Sequence, residues 1–439
     1  MHNRSDRNSK IANENQLPKL AAGGEQMKRV LIVGAGAAGM MAARIAAEHG
    51  ANVTLLEKKN RVGSKLNITG KGRCNITADV DIDELIKGYP GNGRFLHSAF
   101  HEFSNSDLIR FFNQCGLATK TERGNRVFPV SDQAGDVVKV LHEKAKQVGV
   151  QVQTSTSVKA LQIIEGAIMG VDTNEGEISA DAVIVATGGL SYPGTGSTGD
   201  GYQWARQAGH HIIEPRPGLV PLLVREEWIG ELQGLSLKNV KATAYTEVGK
   251  KINEDFGEML FTHYGLSGPI ILSMSHDIGA HLFKQKQTVQ IRLDLKPALS
   301  EEKLDDRVQR DLAKFSRKLF KNSLGELLPA KMIPVMISRS GINPDKECHQ
   351  ITRSERLGLV QLLKNFNLTV TGTRPIAEAI VTAGGVDVKE VNPKTMASKL
   401  TKGLYFAGEV LDVDGYTGGY NLQAAFSTGY VAGKYAALE

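Results

Sequence analysis

The spacing of apolar residues changes several times along the chain. Residues 30–33, VLIV, form an unbroken apolar run rich in β-branched side chains, the pattern of a strand buried on both faces. An alanine-rich segment with helical spacing follows, and then NVTLLE at 52–57 reads as a second strand. Two more runs of this kind occur, ADAVIVATGG at 180–189 and Leu404–Ala407 near the end. Strands separated by helical segments predict a parallel α/β sheet. Between these runs the period falls to two. LSLKNVKATAYTEVG (235–249) and TVQIRLDL (288–295) predict antiparallel strands with one face on a core. In KLDDRVQRDLAKFSRKLFKNSL (303–324), Leu304, Val308, Leu312, Phe315 and Leu319 recur at helical spacing and predict one helix through the whole stretch.

The turn after the first strand carries Gly34, Gly36 and Gly39, a GxGxxG pattern. The first glycine permits the tight turn, the second lets backbone approach a pyrophosphate, and the third lets helix and strand pack closely. The following helix N-terminus offers free N–H groups to phosphate. Glu57 closes the second strand, eighteen residues past Gly39, where a carboxylate binds ribose hydroxyls and disfavours a 2′-phosphate. The C-terminal stretch GLYFAGEVLDVDGYTGGYNLQAAFSTGYVAGKYAA reads as strand, aspartate-rich loop, then a helix from about Leu422. One nucleotide site assembled from both chain ends suits FAD: the ADP half sits on the first motif, and the flavin ring lies at the last helix, behind Gly418, Gly419 and Asn421. An NAD dehydrogenase leaves that C-terminal glycine cluster without a role. No histidine or cysteine is placed for flavin attachment, so the FAD is expected to be noncovalent.

Composition narrows the picture. The 439 residues suffice for two or three domains. Cys74, Cys115 and Cys348 are too few and too scattered for a disulfide framework or a zinc site, so no metal is expected and a reducing cytoplasm is the natural compartment. No apolar run reaches the roughly 18 residues of a membrane span. The net charge of +6 permits an anionic partner. Residues 1–26 are polar and without periodicity and are expected to be disordered. Native translation is expected to start at Met27, with GGEQ encoded by a ribosome-binding purine run.

Five motifs in order, VGAGAAGMMAA, KLNITGKGRCNIT, ATGGLSYPGTGSTGDGY, GEMLFTHYGLSGPIIL and GEVLDVDGYTGGYNLQAAFSTG, are carried from Met27 to the C-terminus. With these the chain resembles the BaiN/RdsA-type (YhiN-like) bacterial flavoproteins, and more distantly the fumarate reductase and ketosteroid dehydrogenase group. The resemblance implies a Rossmann-type FAD domain split across both chain ends (27–215 and 371–439). A mostly β domain (216–296, returning through 347–370) and a small helical insert (297–346) interrupt it. No second GxGxxG unit exists, so NAD(P)H is expected as a transient reductant. The resemblance also implies reduction of an activated C=C bond. The substrate is uridine in large-subunit ribosomal RNA or a steroid-like enone. A flavin-containing RNA-binding protein without turnover is the alternative outside enzymology.

Within this resemblance GKGRCNIT (70–77) is a flavin loop. Gly70 and Gly72 allow close backbone approach, Lys65 and Arg73 supply charge, and Asn75 and Thr77 supply hydrogen bonds. Cys74 is either a small residue packed beside the cofactor or a general acid whose pKa Arg73 lowers. Ala38, Lys58, Val158, Thr187, Gly188, Gly189, Gly408, Glu409, Asp412, Gly419, Leu422 and Gln423 complete the expected FAD contacts. Asp200 lies in a glycine-rich loop that either closes over the cofactor or is a long turn. His263, in FTHYGLSGP, is a proton donor, a substrate-carbonyl ligand or a turn histidine. Arg307, Arg310, Lys314, Arg317, Lys318 and Lys321 form a basic stripe, either a solvated face or a phosphate-contacting one for RNA.

Overall fold

The run Val30–Val33 lies in β1 (Arg29–Val33), followed by α1 (Ala37–Glu48) and β2 (Asn52–Glu57), in the computed structural model, which describes residues 27–439. The expectations for residues 1–26 fall outside the described residues. Five parallel strands form one sheet in the order Leu404–Phe406, Ala182–Val185, β1, β2, Gln151–Thr154. The strand farthest along the chain thus pairs with one from its first half. Val30–Val33 and Ala182–Val185 are buried throughout, as unbroken apolar runs rich in β-branched residues require.

The helix Tyr420–Leu438 lies against α1 and closes the domain. Small residues set their separation. A Cβ added to Gly433 would stand 2.3 Å from the Ala42 carbonyl oxygen, so the two helices touch backbone to backbone. This packing brings the C-terminal glycine loop to the sheet edge where the GxGxxG turn emerges.

A second core belongs to a closed antiparallel barrel of six strands, in the order Leu222–Val224, Gly265–Ser267, Lys251–Phe261, Ser236–Thr246, Val289–Asp294, Phe366–Thr373. Val240, Ala242, Ala244, Ile291 and Leu293 are buried, the faces that period-two alternation picks out. The helix Pro269–Gln285 packs on the barrel strand Lys251–Phe261. Helices Glu301–Lys314 and Arg353–Lys364 cover another side, burying Leu304, Val308, Leu312, Leu359, Val360 and Leu363. The two cores are joined by an antiparallel pair, Ile212–Gly218 with Val381–Val386.

One helix is shorter than its periodicity predicts. It stops at Lys314, and Phe315 and Leu319 are only half-buried. Beyond it the backbone pairs elsewhere: His349 donates to the Ser316 carbonyl, Cys348 to Lys318, and Phe320 to Lys346. Arg317, Lys318 and Lys321 therefore do not continue a helical stripe.

Candidate functional site

The GxGxxG turn has the geometry its glycines allow. Gly34 has φ +103°, and a Cβ there would stand 2.6 Å from the Ala186 carbonyl oxygen. A Cβ on Gly39 would meet the Gly34 carbonyl oxygen at 1.8 Å. Gly36 differs: its missing Cβ faces space with nothing within 4 Å. That space lies at the N-terminus of α1, where no side chain caps the free N–H groups. Glu57 is already oriented there. One carboxylate oxygen accepts from the Ala35 N–H and the other from the Lys59 N–H, both at 2.9 Å.

The rest of the cradle comes from three segments. Gly188 has φ +74° and faces Ser197. A Cβ on Gly189 would meet the Thr382 hydroxyl at 2.3 Å, so a glycine is required for Thr382 and Glu409 to close in. Lys65 Nζ donates to Glu409 and to Ser191, each at 2.6 Å. Glu409 in turn accepts from Ser191 Oγ at 3.0 Å and from the Thr382 N–H at 2.8 Å. Lys58 pairs with Asp200 at 2.6 Å and donates to Thr198, tying the SYPGTGSTGDGY loop to the end of β2. Asn421 accepts from the Gly415 N–H and donates to its carbonyl, both at 2.8 Å, which folds the loop 415–421.

Whether these residues fit a flavin dinucleotide is tested by their unused groups. Asn75 Oδ1, Thr187 Oγ1 and the Tyr202 hydroxyl are buried polar atoms without a hydrogen-bond partner. A buried polar atom left unpaired costs about 1–3 kcal/mol. Two of the three were expected cofactor contacts, and Tyr202 starts one turn after Gly199. Together with the open face at Gly36 and the uncapped α1 N-terminus, they fit a bound polar cofactor.

Several expected contacts are otherwise engaged. Thr77 Oγ1 donates to Gln423 at 2.6 Å, both fully buried, so these side chains pin the loop to the last helix. Gly419 rests on Thr77, where a Cβ would come within 2.4 Å of the backbone. Asp412 accepts from Asn92 at 2.9 Å, and its carboxyl is raised by burial and by neighbouring Asp414. Leu422 is half-buried against the core. Ala38 and Gly408 pack together, a Cβ on Gly408 standing 2.9 Å from that of Ala38. Val158 begins a meander strand, Val158–Ile164, half-buried against the same core.

The opening loop needs a correction. Gly70, Lys71, Gly72 and Cys74 all have positive φ, a conformation that only glycine takes without strain. This turns Arg73 away from Cys74. The guanidinium pairs with Glu122 at 2.5 Å and Asp132 at 2.7 Å and stacks on Phe128 at 4.1 Å. It does not lower the thiol's pKa. Burial pushes Cys74 up to about 12, against a hydrogen bond from Thr69. His263 is exposed in the hairpin between Phe261 and Gly265, edge-on to Tyr264. Of the basic residues, Arg307 pairs with Asp311, Lys314 with Glu326 and Lys321 with Asp345, while Arg310 and Arg317 are exposed. The stripe is thus partly neutralised.

The sequence reading passes over one cluster at the seam of the two cores. His276, on the helix Pro269–Gln285, reaches Asp414 of the C-terminal loop, with Arg216 beside it. Ser273 and Thr417 meet across the same seam at 3.1 Å. The available signal was SMSHD, a polar pair on an otherwise apolar helix. Among the described residues, no group of three or more His, Cys, Asp or Glu side chains is arranged to hold a metal. No helix there is long and apolar enough to cross a membrane.

Comparisons with known proteins agree over nearly the whole length. A family model described as HI0933-like protein Rossmann domain matches residues 28–435. A 3-dehydro-bile acid delta(4,6)-reductase of Clostridium scindens is 34% identical, covering 94% of this chain and 99% of its own. Ribosomal RNA dihydrouridine synthases of Haemophilus influenzae and Escherichia coli are 33% and 31% identical. Each covers 92% of this chain, and 97% and 96% of their own length. A 3-ketosteroid-delta4-(5alpha)-dehydrogenase structure from Rhodococcus jostii RHA1 superposes with TM-score 0.50 at 15% identity. It covers 95% of this chain and 98% of that one, and shows the shared fold.

Proposed function

We propose a reaction for a chain that belongs to the HI0933-like family and is an FAD-dependent oxidoreductase: reduction of the C5=C6 bond of a uridine in large-subunit ribosomal RNA, with NAD(P)H as transient reductant. The observation that carries the reading is the pair of ribosomal RNA dihydrouridine synthases that align over nine-tenths of this chain. The exposed Arg310 and Arg317 support it as phosphate contacts. We place the reaction in the cytoplasm.

When bound, the flavin supplies a hydride to an electron-poor carbon. The chain's own residues hold and shield it. Gly36 and the α1 N-terminus would take the pyrophosphate, and Glu57 the ribose. Lys65, Thr187 and the loop before Tyr420 would face the ring end. The last helix also begins without a side-chain cap, so its N–H groups and dipole would stabilise negative charge on the pyrimidine side. The barrel domain, touching that loop through Ser273 and His276, would cover the reacting face and exclude water.

Incubating the purified holoenzyme with NADPH or NADH and unmodified large-subunit ribosomal RNA tests the proposal. One uridine should gain two mass units. RNA of unchanged mass under flavin turnover would contradict it. The bile-acid reductase relative favours a second reading, an enone reductase. Turnover of a 4-en-3-one steroid, with RNA inert, would select that reading.

A further inference from the structure

The SYPGTGSTGDGY loop sets one residue against its own backbone preference. Four positions between Thr187 and Asp200 are left-handed, and three of them are glycine: Gly188, Gly196 and Gly199. The fourth is Tyr192, at φ +51° and ψ +59°. A bulky side chain is an outlier there, and among the described residues Tyr192 is the only aromatic with positive φ. Its neighbours enforce the conformation. The Tyr192 N–H donates to the Ala377 carbonyl at 3.2 Å. The Tyr192 carbonyl accepts from the Thr195 N–H at 2.8 Å and from the Thr195 hydroxyl at 2.7 Å. None of these bonds uses the side chain, so a glycine would make all three without the strain. A strained residue kept by its surroundings points to a use for its side chain. Ser191, one residue earlier, turns inward and bonds Lys65 and Glu409 of the cradle. Tyr192 stands at the rim of that cradle. Its ring is 38% exposed and pairs with no other ring among the described residues. Arg374, on the segment that carries Ala377, lies over the Tyr264 ring at 4.7 Å and is held there by Glu378.

We infer that Tyr192 is the aromatic platform on which a base of the substrate RNA, next to the target uridine, stacks. The inference rests on the RNA reaction proposed above. A uracil inside a helix cannot lie against a flavin, so the target must leave its stack, and its neighbours lose stacking with it. Proteins that bind splayed-out RNA replace that stacking with aromatic rings and guanidinium planes. The target's own ring is required against the flavin, inside the cradle. The ring at the rim is therefore left for a flanking base. A tyrosine suits the position, because its face takes any base and its hydroxyl end is at home in water. Arg374 offers a second planar group on the adjoining segment. Stacking differs in kind from the phosphate contacts assigned to Arg310 and Arg317, since it neutralises no backbone charge.

Two measurements on the holoenzyme test this. The first is affinity for unmodified large-subunit ribosomal RNA over a range of salt concentrations. Tyr192→Leu keeps the bulk and the backbone strain and removes the π-face. It should weaken binding roughly 5–150-fold, the range for losing one base–aromatic stack. The slope of log affinity against log salt should not change, because no phosphate contact is lost. Tyr192→Phe, which restores the ring, should restore the affinity. Wild-type affinity in a flavin-loaded Tyr192→Leu variant overturns the platform and leaves the RNA reading standing. Equal losses in the two variants, or loss of FAD with the ring, overturn it too, since Tyr192 would then act through its hydroxyl or hold the cofactor. The second measurement needs no ribosomal substrate: binding of a short single-stranded RNA beside the same sugar–phosphate chain without bases. The wild type should prefer the chain with bases, and Tyr192→Leu should lose most of that preference. No preference in the wild type overturns the platform. A wild-type enzyme inert toward ribosomal RNA and active on a 4-en-3-one steroid, with the steroid KM raised in Tyr192→Leu, overturns the RNA reading and the platform together.

Discussion

Gly429 of the last helix rests on the backbone of Ala38 in α1, with so little clearance that a Cβ on Gly429 would stand 2.4 Å from the Ala38 carbonyl oxygen. The contact is backbone, so no rotamer change relieves it. It locks together the two chain ends expected to share the cofactor. An exposed helical Gly→Ala change gains up to about 1 kcal/mol. Gly429→Ala is expected to do the reverse, because overpacking costs about 1–3 kcal/mol. Denaturant unfolding should show a lower midpoint, and the purified variant should carry less FAD. A more stable variant would show that the helices are free to separate.

Gly36→Val separates binding from folding. The position is extended, φ −85° and ψ −166°, which valine adopts readily, and its Cβ would meet nothing within 4 Å. The variant should melt like the wild-type apoprotein, yet purify colourless and take up no FAD on titration. Retained flavin would move the pyrophosphate away from this turn.

Much of this was legible because it is local. The GxGxxG turn, β2 ending at Glu57 and the barrel strands Ser236–Thr246 and Val289–Asp294 follow from residue period and turn chemistry within some twenty positions, and the Rossmann-type fold class is borne out. The end of the helix at Lys314 was not legible. Leu319 and Lys321 continue its spacing, but backbone pairing of 316–320 with 346–349 overrides it, and that pairing is tertiary. The Arg73 side chain was misjudged for a related reason. Positive φ at four residues of its loop aims it at Glu122 and Asp132, acids far along the chain. His276 and Asp414 are likewise neighbours only in the folded molecule.

The thiols give a third prediction. Cys74 and Cys348 are buried, Cys115 is half-buried, and burial pushes Cys74 up to about 12. At pH 8 a water-soluble disulfide reagent should therefore modify one thiol quickly in the native holoenzyme, and three after unfolding. Cys74→Ala should leave turnover within a few fold. A fall of 10²–10⁴-fold with flavin reduction by NAD(P)H intact would instead restore Cys74 as an acid.

The basic residues of the insert should not act equally. Lys314 and Lys321 are already paired with Glu326 and Asp345, whereas Arg310 and Arg317 are exposed. Arg310→Gln with Arg317→Gln should reduce the slope of log affinity for ribosomal RNA against log salt by roughly 0.7–0.9 per contact. Lys314→Gln with Lys321→Gln should change it less. Equal effects would show that the ion pairs open on binding, and no effect from either pair would remove this face from the RNA interface.

The account turns on what the enzyme reduces in its own cell. Mass spectrometry of large-subunit ribosomal RNA from a strain lacking the gene, beside its parent, addresses this most directly. The account predicts that one dihydrouridine present in the parent becomes uridine, two mass units lighter, and returns on complementation with the wild-type gene but not with Gly36→Val. An unchanged set of dihydrouridines in the deletion strain would contradict it.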